Sequence, residues 1–419
     1  MRRNRFFTHI NISGDDYLLP TAQSISDHKR GIRINDTGLI IWELLDDEIE
    51  RIDLINNFII KAEISDSDMD QAVADVEAFI DHLVKLGMID DAPRHSVPLN
   101  NSTCSIQDQA VHSDQRYIIT TAGTSDTPTL KLSIAGINID LYGKKEYLAA
   151  SFNDFTDIHD KADLNIYITE KNRDSSASDF EDADCIILNR EMNIYETGTE
   201  YIISYPAPSQ VLETRICKDS FNTTIYITDK PEGNDFNESS SIVYQLFHAI
   251  RIPFLYIAEK KGFYAIHSAS ILYKDKAWLF SASAGTGKST HAALWTSLTD
   301  ASNINGDLNL IGISEGKPVV FGIPWCGTSG IYDVQSHPLG GVVFLRRSPN
   351  DRLEDIYGSD RVFTLTRRCI SPVWSSEALH KMISDLLPVT ESVYIKRLHC
   401  TKEPSAQKLL QESIDIYLQ

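Results

Sequence analysis

Residues 276–295 read KAWLFSASAGTGKSTHAALW: an apolar strand over 277–280, a run of small residues, then a helix that opens near Lys288. This order of strand, loop and helix is what a phosphate-binding loop requires. Only small residues let several backbone N–H groups converge on phosphate oxygens, and the helix N-terminus adds its positive end. In such an arrangement Ala284, Gly285, Thr286, Gly287, Lys288, Ser289 and Thr290 would surround the phosphates of a nucleotide. Lys288 would reach the β- and γ-phosphates, and Ser289 would hold Mg²⁺. One position departs from the usual pattern, since Ala282 stands where a first glycine normally sits.

A nucleotide site also needs a second acid, to complete magnesium coordination or to accept the proton of an attacking hydroxyl, at the end of a nearby strand. Asp307, in NINGDLNL (303–310), is the best placed, and its competing reading is a plain Asx turn. His267, in YAIHSASI (264–271), ends a β-like segment just before the loop strand. Taken alone it reads more readily as a structural histidine.

Working outward, 419 residues predict roughly three domains of ~150 residues. A hydrophobic share of 42% with 23% charged residues excludes wholesale disorder and fibrous repeats. The balance of 39 basic against 59 acidic residues leaves −20, a field that repels nucleic-acid phosphates and anionic lipid, so neither nucleic acid nor membrane is expected as a partner. The first residues lack the apolar core of a secretory signal, and no apolar run nears the ~20 residues that span a bilayer, which predicts a cytoplasmic protein. Six scattered cysteines without a C-x-x-C pair fit reduced thiols.

In the first 90 residues, apolar positions Met69, Val73, Val76, Phe79, Ile80, Leu83 and Leu86 recur at helical steps between a capping Asp66 and Gly87. A strand at 30–34, a turn at Asn35–Asp36 and a helix through Trp42 precede them. Residues 92–115 carry linker composition. Alternating segments follow at 130–141, 164–168, 201–205 and 224–227, then a helix near 241–250 ended by Pro253. The predicted division is 1–92, a linker at 93–115, a β-rich part at 116–250 and a loop-bearing α/β part at 251–419.

His267, the A-x-x-G-T-G-K-S-T loop and Asp307 together resemble the HPr kinase/phosphorylase family, and more closely its relatives in peptide-modification clusters. Gly330, Ile331, Asp333 and Val334 in GIPWCGTSGIYDVQSHPLGGVVFL match the segment bordering the active site in that family. The resemblance implies a fold shared with phosphoenolpyruvate carboxykinase, ATP with Mg²⁺ as donor and a hydroxyl as acceptor. It assigns Asp307 as general base or metal partner and His267 as a residue lining the transferred phosphate, beside the catalytic Lys288 of the loop. It also makes a homo-oligomer one of the options. A single acid after Gly306 replaces the family's paired aspartates, and Cys326–Gly327 replaces an arginine before glycine. Reverse phosphorolysis is therefore not implied. A charge-neutralising arginine must come from elsewhere, and spacing does not rank Arg346, Arg347, Arg367 and Arg368.

GIRINDTGLIIWELLDD and VEAFIDHLVKLGMI resemble the PqqD-like recognition element of ribosomally made, modified peptides, a winged-helix module that binds leader peptides. The resemblance implies that Arg30, Gly31, Ile32, Arg33 and Ile34 offer an open strand edge to a leader, with Val76, Phe79, Ile80 and Leu83 on the neighbouring helix as the other wall. The whole is then an α+β multidomain protein: an N-terminal winged-helix domain, a β-rich subdomain and a P-loop kinase domain. The expected activity is phosphorylation of a Ser or Thr hydroxyl in the core of a leader-bound precursor peptide. The competing expectations are a kinase acting on a carrier protein or free serine, and a nucleotide-binding pseudokinase that presents peptide to another enzyme.

Overall fold

The computed structural model describes residues 1–45, 48–65, 67–90, 127–171, 183–228 and 241–419. The chain forms two units, Met1–Pro20 with Asp27–Thr124, and Thr21–Ser26 with Ser125–Gln419. The expected linker at 93–115 and the expected cap Asp66 lie outside the described residues.

In the first unit an antiparallel sheet runs Phe7–Ile12, Asp15–Pro20, Ile32–Ile34. Arg2–Arg3 pairs separately with Ile89–Asp90. Asn35, expected in a turn, is the N-cap of helix Asp36–Leu44: its side-chain oxygen accepts from the Gly38 amide at 2.9 Å. Helices Arg51–Lys61 and Met69–Lys85 follow. The last helix stops at Gly87, where φ is +72°. There the Gly87 amide donates to Val84 O and the Met88 amide to Leu83 O, satisfying two terminal carbonyls at a position that favours glycine. Leu18, Ile34, Ile41, Trp42, Leu54, Phe58, Val76, Ile80 and Leu83 form one buried core.

The second unit stacks two sheets on one helix. Among the described residues its first sheet has eight strands in the order Leu130–Ile134, Ile137–Tyr142, Leu164–Glu170, Thr223–Ile227, Val211–Cys217, Glu200–Ser204, Asn193–Glu196, Asp184–Leu188. Helix Ile242–Lys260 follows and buries Leu246, Ala249, Ile250, Phe254, Leu255, Ile257 and Ala258. These join a core with Ile139 and Ile166 of the first sheet, Leu308 and Leu310 of the second, and Trp325 of the segment after strand Lys317–Phe321. The expectation that Pro253 ends this helix is corrected: the helix runs through it. A proline there forfeits one hydrogen bond, a cost of about 3 kcal/mol. Burying apolar side chains on both flanks, each worth ~1.5–3 kcal/mol, outweighs that cost. For the same reason the boundary expected at 250/251 falls inside a continuous helix.

The second sheet positions the site. Strands Tyr264–Tyr273, Leu308–Ser314, Lys317–Phe321 and His337–Arg347 follow one another, and Lys276–Ser281 pairs with both Tyr264–Tyr273 and His337–Arg347. The pairing path therefore closes on itself. Tyr394–Cys400 extends the sheet in parallel beside His337–Arg347. Helices Lys288–Leu298 and Pro404–Tyr417 cover its other face over Trp278, Phe280, Trp295 and Leu398.

Candidate active site

Strand Lys276–Ser281 delivers the chain into loop 282–287, and helix Lys288–Leu298 begins directly after it. Gly285 (φ +71°) and Gly287 (φ +115°) take left-handed conformations that side chains disfavour, so the two glycines of the motif are conformational requirements. Ala282, the departure from the usual pattern, is buried in the core around Phe280 and Trp295, where its methyl group packs. Ala284, Gly285, Ser289 and Thr290 are exposed, Thr286 and Gly287 half-buried, and the first amides of the helix lack intrahelical acceptors.

Three predicted side chains are brought together here. Lys288, only 8% exposed, places Nζ 2.7 Å from His267 Nε2. His267 Nδ1 in turn lies 3.3 Å from Asp307 Oδ1. Because the ammonium must donate, Nε2 accepts, and the imidazole proton belongs on Nδ1, facing the carboxylate. Burial and the Lys288 charge hold the His267 pKa below its usual value, against the opposing pull of Asp307, so the ring is neutral at neutral pH. Burial also lowers the Lys288 pKa, again opposed by Asp307.

The backbone fixes this line. His267 and Leu308 are register partners, and the Ser268 amide donates to Asp307 O at 2.9 Å. Buried Asn305 accepts from the Asp307 amide (3.0 Å) and the Leu308 amide (3.1 Å), while its Nδ2 donates to Trp325 O (3.1 Å). The Asx turn is thus real, and Asn305 builds it to aim Asp307. A Cβ on Gly306 would fall 2.1 Å from Ser329 Oγ, and one on Gly327 2.8 Å from Asp307 Cβ. Segment 326–331 therefore closes against the carboxylate through residues without side chains, and the Gly306 amide donates to Ile331 O.

All four arginines left unranked by spacing line one cavity of about 420 Å³, with Ser283, Thr286 and Arg397. Arg347 donates to the Gly285 and Thr286 carbonyls, and Arg368 Nη1 lies 3.4 Å from Ser283 Oγ. The Arg368 carbonyl accepts from the His267 amide, which ties the cavity to the His267 strand. Burial and neighbouring Arg367 lower the Arg368 pKa. A concentration of cationic groups beside the loop, in a chain of net charge −20, suits a polyanion. Among the described residues no group of three or more His, Cys, Asp or Glu could hold a metal on its own. Sequence reasoning missed Asn305, Trp325, Gly327 and Arg397; of these only Gly327, within the flagged Cys326–Gly327 pair, carried a signal.

In the first unit, among the described residues, Ile32–Ile34 lies at the end of its sheet with one neighbouring strand. Arg30 and Arg33 are exposed, and Gly31 and Ile32 are half-buried. Phe79 is half-buried beside Gly38 and Ile34, since a Cβ on Gly38 would meet both. Four expected side-chain contacts to peptide are corrected: Val76, Ile80 and Leu83 are 2%, 0% and 0% exposed, and Ile34 is 6% exposed, because these side chains form the core and none is left for a ligand. Helix position 79 shares the strand-facing side but lies at the rim of the core.

Residues 25–89 match the family model "Coenzyme PQQ synthesis protein D (PqqD)". No curated protein matches the chain. Among solved structures, that of the Hpr(Ser) kinase/phosphatase from Coxiella burnetii aligns with 37% of this chain and 99% of its own, at 11% identity and a TM-score of 0.22. At that score the likeness carries none of the chemistry, which rests on this chain's own residues. No helix among the described residues is long and apolar enough to cross a membrane.

Proposed function

We propose that this chain is an ATP-dependent kinase that phosphorylates a Ser or Thr hydroxyl of a ribosomally made precursor peptide captured by its first unit. The observation that carries this reading is the convergence of Lys288, His267 and Asp307 at the mouth of a small-residue loop that leads into a helix. Loop amides 284–287, the first turn of helix Lys288–Leu298 and the Lys288 ammonium bind the β- and γ-phosphates. The arginine cavity takes the remainder of the nucleotide. Ser289 and Asp307 suit Mg²⁺, which draws most of its ligands from phosphate and water, and it would supply charge neutralisation.

Asp307 accepts the proton of the acceptor hydroxyl. The acceptor oxygen forms a bond to the γ-phosphorus as the bond to the bridging β–γ oxygen breaks, leaving ADP. His267, neutral with Nδ1–H toward Asp307, holds the carboxylate in place and keeps Lys288 oriented. The PqqD match over residues 25–89 supports peptide capture along the open edge of Ile32–Ile34, with Phe79 as a side wall. Tethering by a bound leader raises the effective acceptor concentration into the ~millimolar range, so the kinase unit can bind the core weakly.

The test is incubation of the full chain with γ-labelled ATP, Mg²⁺ and a precursor-like peptide encoded beside it, followed by mass spectrometry of the peptide. The expected result is one added phosphate on a core hydroxyl, dependent on the leader. A peptide that stays unmodified while ATP is bound would establish the pseudokinase alternative.

A further inference from the structure

Helix Ile242–Lys260 carries Tyr244, His248 and Arg251 at steps of four and three residues, which places them along one side. Phe247 and Phe254 flank Arg251 at the same spacings, and both rings pack on Trp325, with centroids 5.7 and 4.8 Å away. Trp325 Nε1 donates to Phe247 O at 2.8 Å, and Trp325 O is held by Asn305, the residue that sets the Asp307 turn. Arg251 therefore stands on the helical turn braced against the support of the proposed catalytic carboxylate.

Its guanidinium is half-buried and has no hydrogen-bond or ion-pair partner among the described residues. Of the other arginines of this region, Arg347 bonds loop carbonyls and Arg368 approaches Ser283, while Arg346 and Arg367, whose guanidinium groups have no partner among the described residues either, are exposed to solvent. Burying a guanidinium without a partner is costly, and a fold that keeps one there has a use for an anion at that point. Burial lowers the Arg251 pKa, opposed first by the charge of Asp307.

We propose that Arg251 anchors the transferred phosphoryl group, forming a site for a phosphomonoester or orthophosphate near Asp307. This rests on the kinase reading and supplies the arginine missing from position 326. A planar fork of donors suits the equatorial oxygens of the group in flight and of the product ester.

The test is calorimetric titration of inorganic phosphate into the full chain saturated with ADP and Mg²⁺, using wild type, Arg251→Met and Arg251→Lys. Arg251→Met should weaken phosphate binding at least tenfold, leave ADP affinity unchanged and leave the thermal midpoint equal or higher, since an unpaired buried charge has been removed. Arg251→Lys, which keeps the charge and loses the fork, should fall between and carries the test if the Met variant does not fold. Phosphate binding that is absent in the wild type, or equal in the variants, overturns the inference while ADP binding upholds the nucleotide site. A wild type that does not bind ADP overturns the reading beneath it and the inference together.

Discussion

The contact between Gly327 and Asp307 can be tested against an internal control. Gly327→Ala places a methyl carbon 2.8 Å from Asp307 Cβ, 2.9 Å from Cγ and 3.0 Å from Oδ2, where ordinary contact begins near 3.4 Å. Either the carboxylate or segment 326–331 must yield by roughly 0.6 Å. Gly330→Ala imposes nearly the same backbone penalty, because φ is +62° at Gly327 and +64° at Gly330, but its methyl would meet nothing within 4 Å. Both variants should lose about 1–2 kcal/mol from the left-handed conformation. Gly327→Ala should lose a further ~1–3 kcal/mol from overpacking. Displacing a catalytic group by such a distance costs about 10–100-fold in turnover. Urea denaturation gives the stability difference, and phosphopeptide formation under saturating ATP gives turnover. Equal turnover in the two variants would refute the claim that Gly327 sets the position of Asp307.

Other outcomes follow from the same contacts. Lys288→Ala should abolish phosphate transfer and weaken ATP binding, with leader affinity unchanged by fluorescence anisotropy. Phe79→Gln should do the reverse, weakening a labelled leader peptide about tenfold, as expected for a lost apolar wall contact of ~1.4 kcal/mol, with ATP binding intact. Asn305→Ala removes the acceptor for two amides and the donor to Trp325 O in a buried setting, a loss of about 3 kcal/mol by denaturation, and should also lower turnover. Buried His291 has its pKa pushed by burial down to about 4. Below pH 6.5 the unfolded chain takes up a proton that the folded one refuses, so stability falls on acidification toward pH 4, by roughly 3 kcal/mol. His291→Gln should flatten that slope in melts between pH 7 and 4.5.

Legibility followed the range of the interactions. Helix Met69–Lys85 and its Gly87 stop were readable because period and cap are local, and so was the hairpin Leu130–Ile134 with Ile137–Tyr142. The sequence order around Lys288 likewise exposed the loop. The passage of helix Ile242–Lys260 through Pro253 was not readable, because partners from two sheets override a local rule. Val76, Ile80 and Leu83 misled for a related reason: a periodic apolar stripe marks a buried face without saying whether a core or a guest fills it. At the site, Lys288, His267 and Asp307 carry side chains whose chemistry announces itself. Asn305 acts by holding others, across 18 and 20 residues of chain to Ile323 O and Trp325 O, and Trp325 across 78 to Phe247 O, and no local pattern marks such roles. Arg251 sits 16 positions before His267 on a different element, where only tertiary packing reveals its neighbourhood.

The closed strand path has a consequence for motion. His267, Ser281 and Leu308 lie on neighbouring strands of the cycle joined through His337–Arg347, so none can slide without breaking hydrogen bonds on both sides. Rearrangement during turnover must fall to parts outside that frame, loop 282–287 and segment 326–331, each of which already holds two glycines at positive φ. Stiffening those two stretches, for instance by a disulfide or proline, should slow product departure before it disturbs the chemistry.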